Sequence, residues 1–329
     1  MHRRDFLAIS AAAGAAASLV PGAVTPGMVG LSSVFQQPTA APKAAPTFTS
    51  KRTLKKAVMY GMIGEGKTVL ERFTLLRDCG FQGVEMDSPS KTPADEILAA
   101  AEKTGIQVHG LVDSVHWQFH LNCPEAEIRT KGVQALETAL RDGKKFGASS
   151  VLLVPALVNG QQPYDHAWEL SIAEIRKVLP LAKELGVMIA IENVWNNFLL
   201  SPLEAARYVD ELNGPAGAPG AGMAAFHFDI GNVINYGWPE QWVRILGRRI
   251  VKLHIKDFSR KKRDEQGLWK GFDVELGEGD AGWAPTMKAL DDIGYSTAPE
   301  GNWATAEVGG GKADRLKQIS EQMDKLFAL

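Results

Sequence analysis

Cysteine, net charge and long apolar runs are all scarce in this sequence, and each scarcity excludes a class of protein. Only two cysteines, Cys79 and Cys123, occur among 329 residues, too few for a disulfide-built scaffold or a cysteine zinc cluster. The formal net charge of −2 gives no basic surplus for contacts with nucleic-acid phosphates. After residue 30 no apolar run reaches the roughly 18–20 residues that span a bilayer. We therefore expect no nucleic-acid partner, and whether the two cysteines pair stays open.

The first thirty residues have the pattern of an export signal. Arg3 and Arg4 precede a short, alanine-rich apolar run from Ala8 to Val20. A positive start before such a run is typical of a signal peptide, and the arginine pair resembles the twin-arginine signal, which carries folded proteins across the bacterial inner membrane. We predict a signal peptide at 1–30, a Pro-, Ala-, Ser- and Thr-rich linker at 31–52, and a periplasmic or otherwise exported protein without membrane contact after cleavage.

From Lys55 onward, short apolar runs alternate with amphipathic stretches. Eight strands are predicted, several of them continuous apolar runs typical of strands buried on both faces of a parallel sheet: Ala57–Tyr60, Gly83–Asp87, Gln107–Leu111, Ser150–Pro155, Met188–Asn193, Ala225–Ile230, Val251–Lys256 and Ala298–Asn302. Long helices are predicted over Glu125–Phe146, Asp165–Leu185 and Asp314–Leu329. Eight strand-helix units in one α/β domain over 53–329 match a (β/α)8 TIM barrel.

Residues that favour helix ends support this division. Ser201 and Glu204 form a capping-box pattern, and Thr92 before Pro93 predicts a capped helix start. Gly186 directly follows a predicted helix. Glycine is favoured there because it readily adopts the left-handed backbone conformation with which many helices end.

A doubly wound open sheet is the alternative architecture. It requires a glycine-rich phosphate turn after an early strand and an acidic residue further on. The nearest candidate, Gly61–Gly66, has the wrong spacing and lacks that acid. The pattern therefore favours the barrel.

Polar side chains end the last four predicted strands. They are Glu192, Asp229, His254 and Glu300. The carboxyl ends of barrel strands converge on one mouth of the barrel. Three carboxylates so close to one another need a compensating cation. An oxygen-rich set with one nitrogen favours one divalent metal, with Mn²⁺ as the first choice and Mg²⁺, Co²⁺ or Zn²⁺ as alternatives. Each residue alone could instead be a helix cap, a surface group or a buried structural histidine, but the joint pattern favours a metal site.

Short phrases around these residues resemble one family. They are Cys79–Glu85, Ile191–Asn193, His227–Asn232, His254–Asp257 and Pro299–Gly301. As a set they are similar to the xylose-isomerase-like barrel superfamily over residues 55–328. More narrowly, they look like its sugar phosphate isomerase/epimerase branch, which includes ketose 3-epimerases, hydroxypyruvate isomerase and inosose dehydratase.

The resemblance implies roles for single residues. It implies metal ligation by Glu192, Asp229, His254 and Glu300, with the two glutamates also acting as the proton-transfer pair. Arg260 stands where these epimerases carry a substrate-binding arginine. Asn232 and Phe198 depart from the epimerase pattern, which has a histidine and an acid at those positions. The departures count against ketose 3-epimerase activity specifically.

The expected reaction is removal of a proton from a carbon next to a carbonyl or hydroxyl group. The metal would stabilise the enediolate, and the glutamates would remove and return the proton. Exported enzymes seldom meet sugar phosphates, so we predict a metal-dependent isomerase or epimerase acting on a neutral sugar or keto-sugar. A lyase or hydratase cleaving 3-keto-glycosides by β-elimination is the first alternative. A non-catalytic sugar-binding barrel is the second, and a homo-oligomer is compatible with either.

Residues near the predicted mouth are candidates for sugar contact, because aromatic rings commonly pack against the apolar face of a sugar. The predicted substrate-binding residues are His116, Trp117, Asn232, Lys256, Arg260 and Trp303. Trp195 could also wall the pocket, although tryptophan is as often a core residue.

Overall fold

Eight parallel strands close into a barrel in this computed structural model, which describes residues 52–329. Each strand pairs with the next along the chain, and the eighth pairs with the first. They are β1 (Lys55–Met59), β2 (Gly83–Ser88), β3 (Gln107–Asp113), β4 (Ser150–Leu153), β5 (Met188–Glu192), β6 (Ala224–Asp229), β7 (Ile250–Ile255) and β8 (Trp303–Ala306). The predicted TIM barrel is confirmed. The predicted signal peptide (1–30) and all but the last residue of the predicted linker lie outside the described residues.

Helices connect the strands and cover the outside of the barrel. They are α1 (Val69–Asp78), α2 (Ala94–Thr104), α3 (Ala126–Phe146), α4 (Tyr164–Leu185), α5 (Pro202–Asn213), α6 (Ile230–Val233), α7 (Pro239–Leu246), α8 (Arg260–Gln266), α9 (Trp283–Asp292) and α10 (Ala313–Phe327). Short 3₁₀ helices lie at Tyr60–Met62, Gly247–Arg249 and Leu268–Phe272. Among residues 52–329, every helix is too short or too polar to cross a membrane.

The strands are buried because side chains fill the barrel interior and helices cover its outer face. β4 and β6 are buried along their whole length. All strands are parallel, so their C-terminal ends meet at one mouth of the barrel. Polar side chains that end these strands are thus brought together.

Local signals place most helix ends correctly. The Ser201 hydroxyl accepts a hydrogen bond from the Glu204 backbone N–H, and the Glu204 carboxylate accepts one from the Ser201 N–H, so the capping box is confirmed. α4 ends at Leu185, and Gly186, which follows it, has φ 71°. The predicted threonine cap at Thr92 is wrong, because Pro93 directly precedes α2 and no side-chain cap bond forms.

The eighth strand does not lie where the sequence predicts it. The predicted segment Ala298–Asn302 forms a turn, and β8 begins at Trp303, which pairs with Lys55 of β1. Pro299 has no N–H for a strand ladder, and Gly301 has φ 72°, far from an extended strand. The other seven predicted strands overlap the observed ones.

The two cysteines are separate buried thiols. The Cys79 thiol lies 3.6 Å from the Ala313 carbonyl oxygen. The Cys123 thiol lies 2.8 Å from a Glu125 carboxylate oxygen. Cys79 and Cys123, whose pairing the sequence left open, form no disulfide bond with each other in this structure.

Candidate functional site

Four side chains with metal-ligating groups meet at the mouth of the barrel. They are Glu192, Asp229, His254 and Glu307, and one donor atom from each lies within 4.8 Å of the others. His254 Nδ1 is 2.8 Å from Glu192 Oε1 and 3.3 Å from Glu307 Oε2. The nearest Asp229 oxygen is 3.9 Å from the same nitrogen. We call these four residues the mouth cluster; Glu307 is partly exposed, and the other three are buried.

The strands bring the mouth cluster together because each ends at or beside one of its members. Glu192 and Asp229 are the last residues of β5 and β6, and Glu307 directly follows β8. The strand register sets Asp229 opposite His254. The Glu307 backbone N–H donates to the Ile255 carbonyl at 3.0 Å, which ties the ends of β7 and β8 together.

Two asparagines hold Asp229 in place. The Asn193 side chain accepts from the Asp229 N–H at 2.9 Å and donates to its carbonyl at 2.8 Å. The Asn232 N–H donates to Asp229 Oδ1 at 2.8 Å, while its side-chain amide donates to the Asn193 carbonyl. Asn232, predicted to contact substrate, is buried in this frame and supports a member of the mouth cluster.

Lys256 places an ammonium group against the mouth cluster. Its Nζ lies 2.8 Å from Asp229 Oδ2 and 3.0 Å from Glu307 Oε2. Burial lowers the pKa of Lys256, but the nearby carboxylates raise it by a larger amount. The pKa of Lys256 therefore lies above its usual range. Lys256 therefore remains a cation and neutralises part of the carboxylate charge.

The donor set of the mouth cluster fits a divalent cation. Burial raises the pKa of Asp229 to about 7; Lys256 opposes this rise, and Glu307 adds to it. A carboxyl group that resists ionisation beside other acids marks a site short of positive charge. Three carboxylates and one imidazole form the oxygen-rich set that suits Mn²⁺, Mg²⁺ or Co²⁺, and Zn²⁺ also accepts these ligands.

Glu300, expected in this set, lies elsewhere. It is exposed in the turn before β8, at the opposite end of that strand from the mouth cluster. Glu307 stands at the carboxyl end instead. The signal that would have found it is the mostly apolar segment Trp303–Ala306 followed directly by an acid, which is similar to the apolar run before Glu192.

Trp303 also lies away from the mouth. It is the first residue of β8 and is 9% exposed. Its ring stacks on His109 with centroids 4.5 Å apart, and the Lys55 ammonium lies 5.2 Å from it. The prediction that Trp303 contacts the sugar is therefore wrong. The predicted strand ended just before Trp303, which would have set it at the mouth, whereas the observed β8 begins at Trp303 and sets it at the opposite end of the barrel.

Arg260 is engaged by the loop that follows β6. Its guanidinium donates to the carbonyls of Ile234 at 2.9 Å and Gly237 at 2.7 Å. It also lies 5.5 Å from the centre of the Trp238 ring. In this structure Arg260 holds that loop rather than joining the mouth cluster.

His116 and Trp117 lie in the loop after β3, at the end of the barrel that carries the mouth cluster. His116 is buried, and its Nδ1 accepts from the Val154 N–H at 3.4 Å. The Trp117 ring packs edge-on against it with centroids 5.4 Å apart. Neither belongs to the mouth cluster.

An aromatic group lines the region beside Lys256. The Trp195 ring lies 4.9 Å from Trp269, 5.1 Å from Phe272 and 5.8 Å from Phe258, measured between ring centres. The Lys256 ammonium lies 5.3 Å from the centre of the Phe272 ring. Trp269 is 37% exposed. We call Trp195, Trp269 and Phe272 the aromatic wall; the sequence suggested only its first member.

Comparison with known protein families identifies the barrel. The model of the xylose isomerase-like TIM barrel family matches residues 73–328. The chain belongs to this family. The model of the twin-arginine translocation (TAT) pathway signal sequence matches residues 1–20, so the protein is exported by the twin-arginine route.

Proteins similar to this chain include sugar epimerases. The chain is 24% identical over 242 residues to the L-ribulose-5-phosphate 3-epimerase UlaE of Salmonella heidelberg strain SL476, covering 70% of this chain and 80% of that protein. The apo structure of the 3-keto-D-glucoside 4-epimerase YcjR from E. coli matches with a TM-score of 0.66 and 15% identity, covering 84% of this chain and all of that one. The D-allulose 3-epimerase from Methylomonas sp., solved with D-allulose, matches with a TM-score of 0.64 and 17% identity, covering 84% and 98%. These homologues are enzymes, and the structural matches establish the shared fold.

Proposed function

We propose that the protein is an exported, metal-dependent isomerase or epimerase of a neutral sugar or keto-sugar. The observation that carries the proposal is the mouth cluster, in which three carboxylates and one imidazole converge within 4.8 Å. The epimerases among the relatives and the export signal support it. The arrangement of acids around one histidine is what a proton-transfer enzyme with a single divalent ion needs.

The proposed ligands are the mouth cluster itself: Glu192, Asp229, His254 and Glu307. A bound divalent ion, with Mn²⁺ as the first candidate, would act as a Lewis acid for oxygen atoms of the sugar. Glu307 takes the place that the sequence assigned to Glu300. Asn193 would keep Asp229 oriented toward the site through hydrogen bonds to its backbone, and the Asn232 N–H would do so by donating to its carboxylate.

Glu192 and Glu307 are the proposed proton-transfer pair. They lie on either side of the β6 and β7 ends, and both approach the same His254 nitrogen. A proton removed by one glutamate and returned by the other to the opposite face gives epimerisation. Return to the neighbouring carbon gives isomerisation.

Lys256 is proposed to hydrogen-bond a sugar hydroxyl, since its ammonium is the cation beside Asp229 and Glu307. The aromatic wall next to it supplies the ring surface on which the apolar face of a sugar packs. His116 and Trp117 are proposed as further contacts from the opposite side of the mouth. Arg260 would act indirectly, by holding the loop at Ile234–Gly237.

The decisive experiment compares three glutamine variants. We expect Glu192→Gln and Glu307→Gln each to lower turnover by at least about two orders of magnitude, since each removes one partner in proton transfer. Glu300→Gln is the matched control and should leave turnover within about twofold, because Glu300 is exposed away from the mouth cluster. The measurement is deuterium uptake from D₂O into neutral sugars and keto-glycosides by metal-loaded protein. If Glu300→Gln is the inactive variant, the proposed pair is wrong.

β-Elimination of 3-keto-glycosides is the second candidate function. The aromatic wall favours it, because a partly exposed tryptophan beside the mouth cluster could hold the leaving group of a glycoside. The same glutamates would serve. Release of the leaving group from a 3-keto-glucoside would favour the lyase, and deuterium exchange without release would favour the epimerase.

A further inference from the structure

The His254 ring lies between two acidic groups. Its Nδ1 faces the mouth cluster, whereas its Nε2 lies 3.3 Å from Oε2 of Glu85. Glu85 is 2% exposed and His254 is fully buried. Each ring nitrogen therefore has its own carboxylate environment, and Glu85 is the acid on the side away from the proposed metal.

Glu85 reaches His254 across the interior of the barrel. It belongs to β2, which pairs with β1 and β3, whereas His254 belongs to β7. The β2–β3 register shifts between Val84 and Glu85. A buried carboxylate is costly unless it is paired. The contact with the His254 ring thus offsets the free-energy cost of burying the Glu85 carboxylate.

A second ring restricts the histidine from another direction. His227 of β6 packs against His254 with ring centres 4.1 Å apart and planes at 62°. The ring is buried as well. With His227 packed against the ring and Glu85 facing Nε2, the His254 imidazole has little freedom to rotate.

We infer that Glu85 is a positioning residue for His254. By accepting a hydrogen bond from Nε2–H, Glu85 fixes the tautomer whose Nδ1 lone pair faces the mouth cluster. It also makes Nδ1 a stronger electron-pair donor to a metal ion. Carboxylates on the outer nitrogen of metal-binding histidines act in this way, and removing them typically weakens metal binding by about 10–100-fold. The inference depends on the proposed metal site, since a positioning residue needs a ligand to position.

A different role for the same residues is a second metal site. Donor atoms of Glu85, His227 and His254 also lie within 4.8 Å of one another. Glu85 Oε1 and His227 Nε2 are buried and lack hydrogen-bond partners among the described residues. The two roles make different predictions about how many metal ions bind.

The test uses Co²⁺ as the probe and compares the full chain with Glu85→Gln and Glu85→Leu. Glutamine keeps a weaker, neutral acceptor at the same place, whereas leucine removes the acceptor. We expect the Kd for Co²⁺, measured by competition with a chelator, to rise about 10–100-fold in Glu85→Gln and further in Glu85→Leu. The visible absorption of bound Co²⁺ should shift in both variants, and saturating Co²⁺ should restore most of the sugar turnover.

Glu174→Gln is the matched control. Glu174 is also a buried glutamate, but it lies on α4 and pairs with Arg129 on the outside of the barrel. This variant should keep the Co²⁺ affinity and spectrum of the unmodified chain. If Glu85→Leu does not fold, the result with the near-isosteric Glu85→Gln decides.

Three outcomes would overturn the inference. Unchanged Co²⁺ affinity and spectrum in a folded Glu85→Gln, with intact sugar turnover, would refute the role of Glu85 and leave the proposed function standing. Two ions per chain that fall to one in Glu85→Gln would establish the second metal site instead. If the unmodified chain binds no Co²⁺, Mn²⁺ or Zn²⁺, the proposed function fails together with the inference.

Discussion

Asp113 is a buried acid whose ionisation opposes folding. It is the last residue of β3 and is 1% exposed. Burial raises its pKa from 3.8 to about 7, although the Val115 N–H, 3.2 Å from Asp113 Oδ1, opposes the rise. Between these two values the folded chain binds more protons than the unfolded one, so the free energy of unfolding falls as the pH rises.

Replacing Asp113 with asparagine removes this penalty. The asparagine side chain keeps an oxygen for the Val115 N–H but cannot ionise, so Asp113→Asn should stabilise the protein above pH 7 by up to about 4 kcal/mol, at about 1.4 kcal/mol per pKa unit. The two proteins should converge near pH 4. Urea unfolding at pH 4, 6 and 8 measures this difference. A gain that is equal at all three values would show that the effect does not come from ionisation.

The residues of the mouth cluster differ in how far the sequence revealed them. Glu192 and Asp229 directly follow apolar runs, so their positions at strand ends could be read from the pattern. Glu307 follows a run of only four residues that includes a threonine, and the nearby Pro299–Gly301 phrase drew the assignment to Glu300. Glu85 ends one of the family-like phrases, but its role could not be predicted, because its contact with His254 crosses the barrel and depends on the closed sheet.

One buried side chain organises much of the loop between β7 and α9. Asp257 is buried, and its Oδ2 accepts hydrogen bonds from the N–H groups of Gly277 and Gly279 and from Trp283 Nε1. Its Oδ1 accepts from the N–H groups of Phe258 and Ala281. Two members of the aromatic wall lie in this loop, so Asp257 links the end of β7 to the proposed sugar surface.

An asparagine at this position would set its amide group against N–H donors. We expect Asp257→Asn to lower the free energy of unfolding by about 2–4 kcal/mol, because buried donors lose a charged acceptor. Asp273→Asn is the control in the same loop; Asp273 is exposed and pairs with Lys270, so its change should stay within about 0.5 kcal/mol. Chemical unfolding followed by tryptophan fluorescence measures both. Equal effects in the two variants would contradict the role given to Asp257.

Strands and helices were predictable wherever burial and local chemistry agree. The strands Ser150–Leu153 and Met188–Glu192 are short apolar runs within the predicted limits. The helix Ala126–Phe146 is followed by Gly147, which has φ 77°. The eighth strand was misplaced although Pro299 and Gly301 count against a strand at Ala298–Asn302, because the two short segments lie side by side in the sequence. Pairing with both β1 and β7 places the strand at Trp303–Ala306. Such pairing is a long-range property that a local pattern does not contain.

At the scale of the whole molecule, the mouth cluster joins the ends of four strands. Without a metal, its three carboxylates face the Lys256 ammonium and the His254 ring. Burial lowers the pKa of His254, but acidic neighbours led by Glu85 raise it well above its usual value. Without a metal, the charge of the three carboxylates is thus offset by the protonated His254 ring and the Lys256 ammonium. Burying these charges costs free energy, and a divalent ion at the mouth cluster would reduce that cost.

Removal of the metal should therefore destabilise the entire barrel. At a free ion concentration about one hundred times the Kd, binding stabilises the folded state by about 2.7 kcal/mol. For a domain of this size that corresponds to a fall in Tm of about 5 °C when a chelator is added. The fall should be lost in Glu307→Gln, which lacks a proposed ligand, and kept in Glu300→Gln. A chelator-induced fall of equal size in all three proteins would place the stabilising ion outside the mouth cluster.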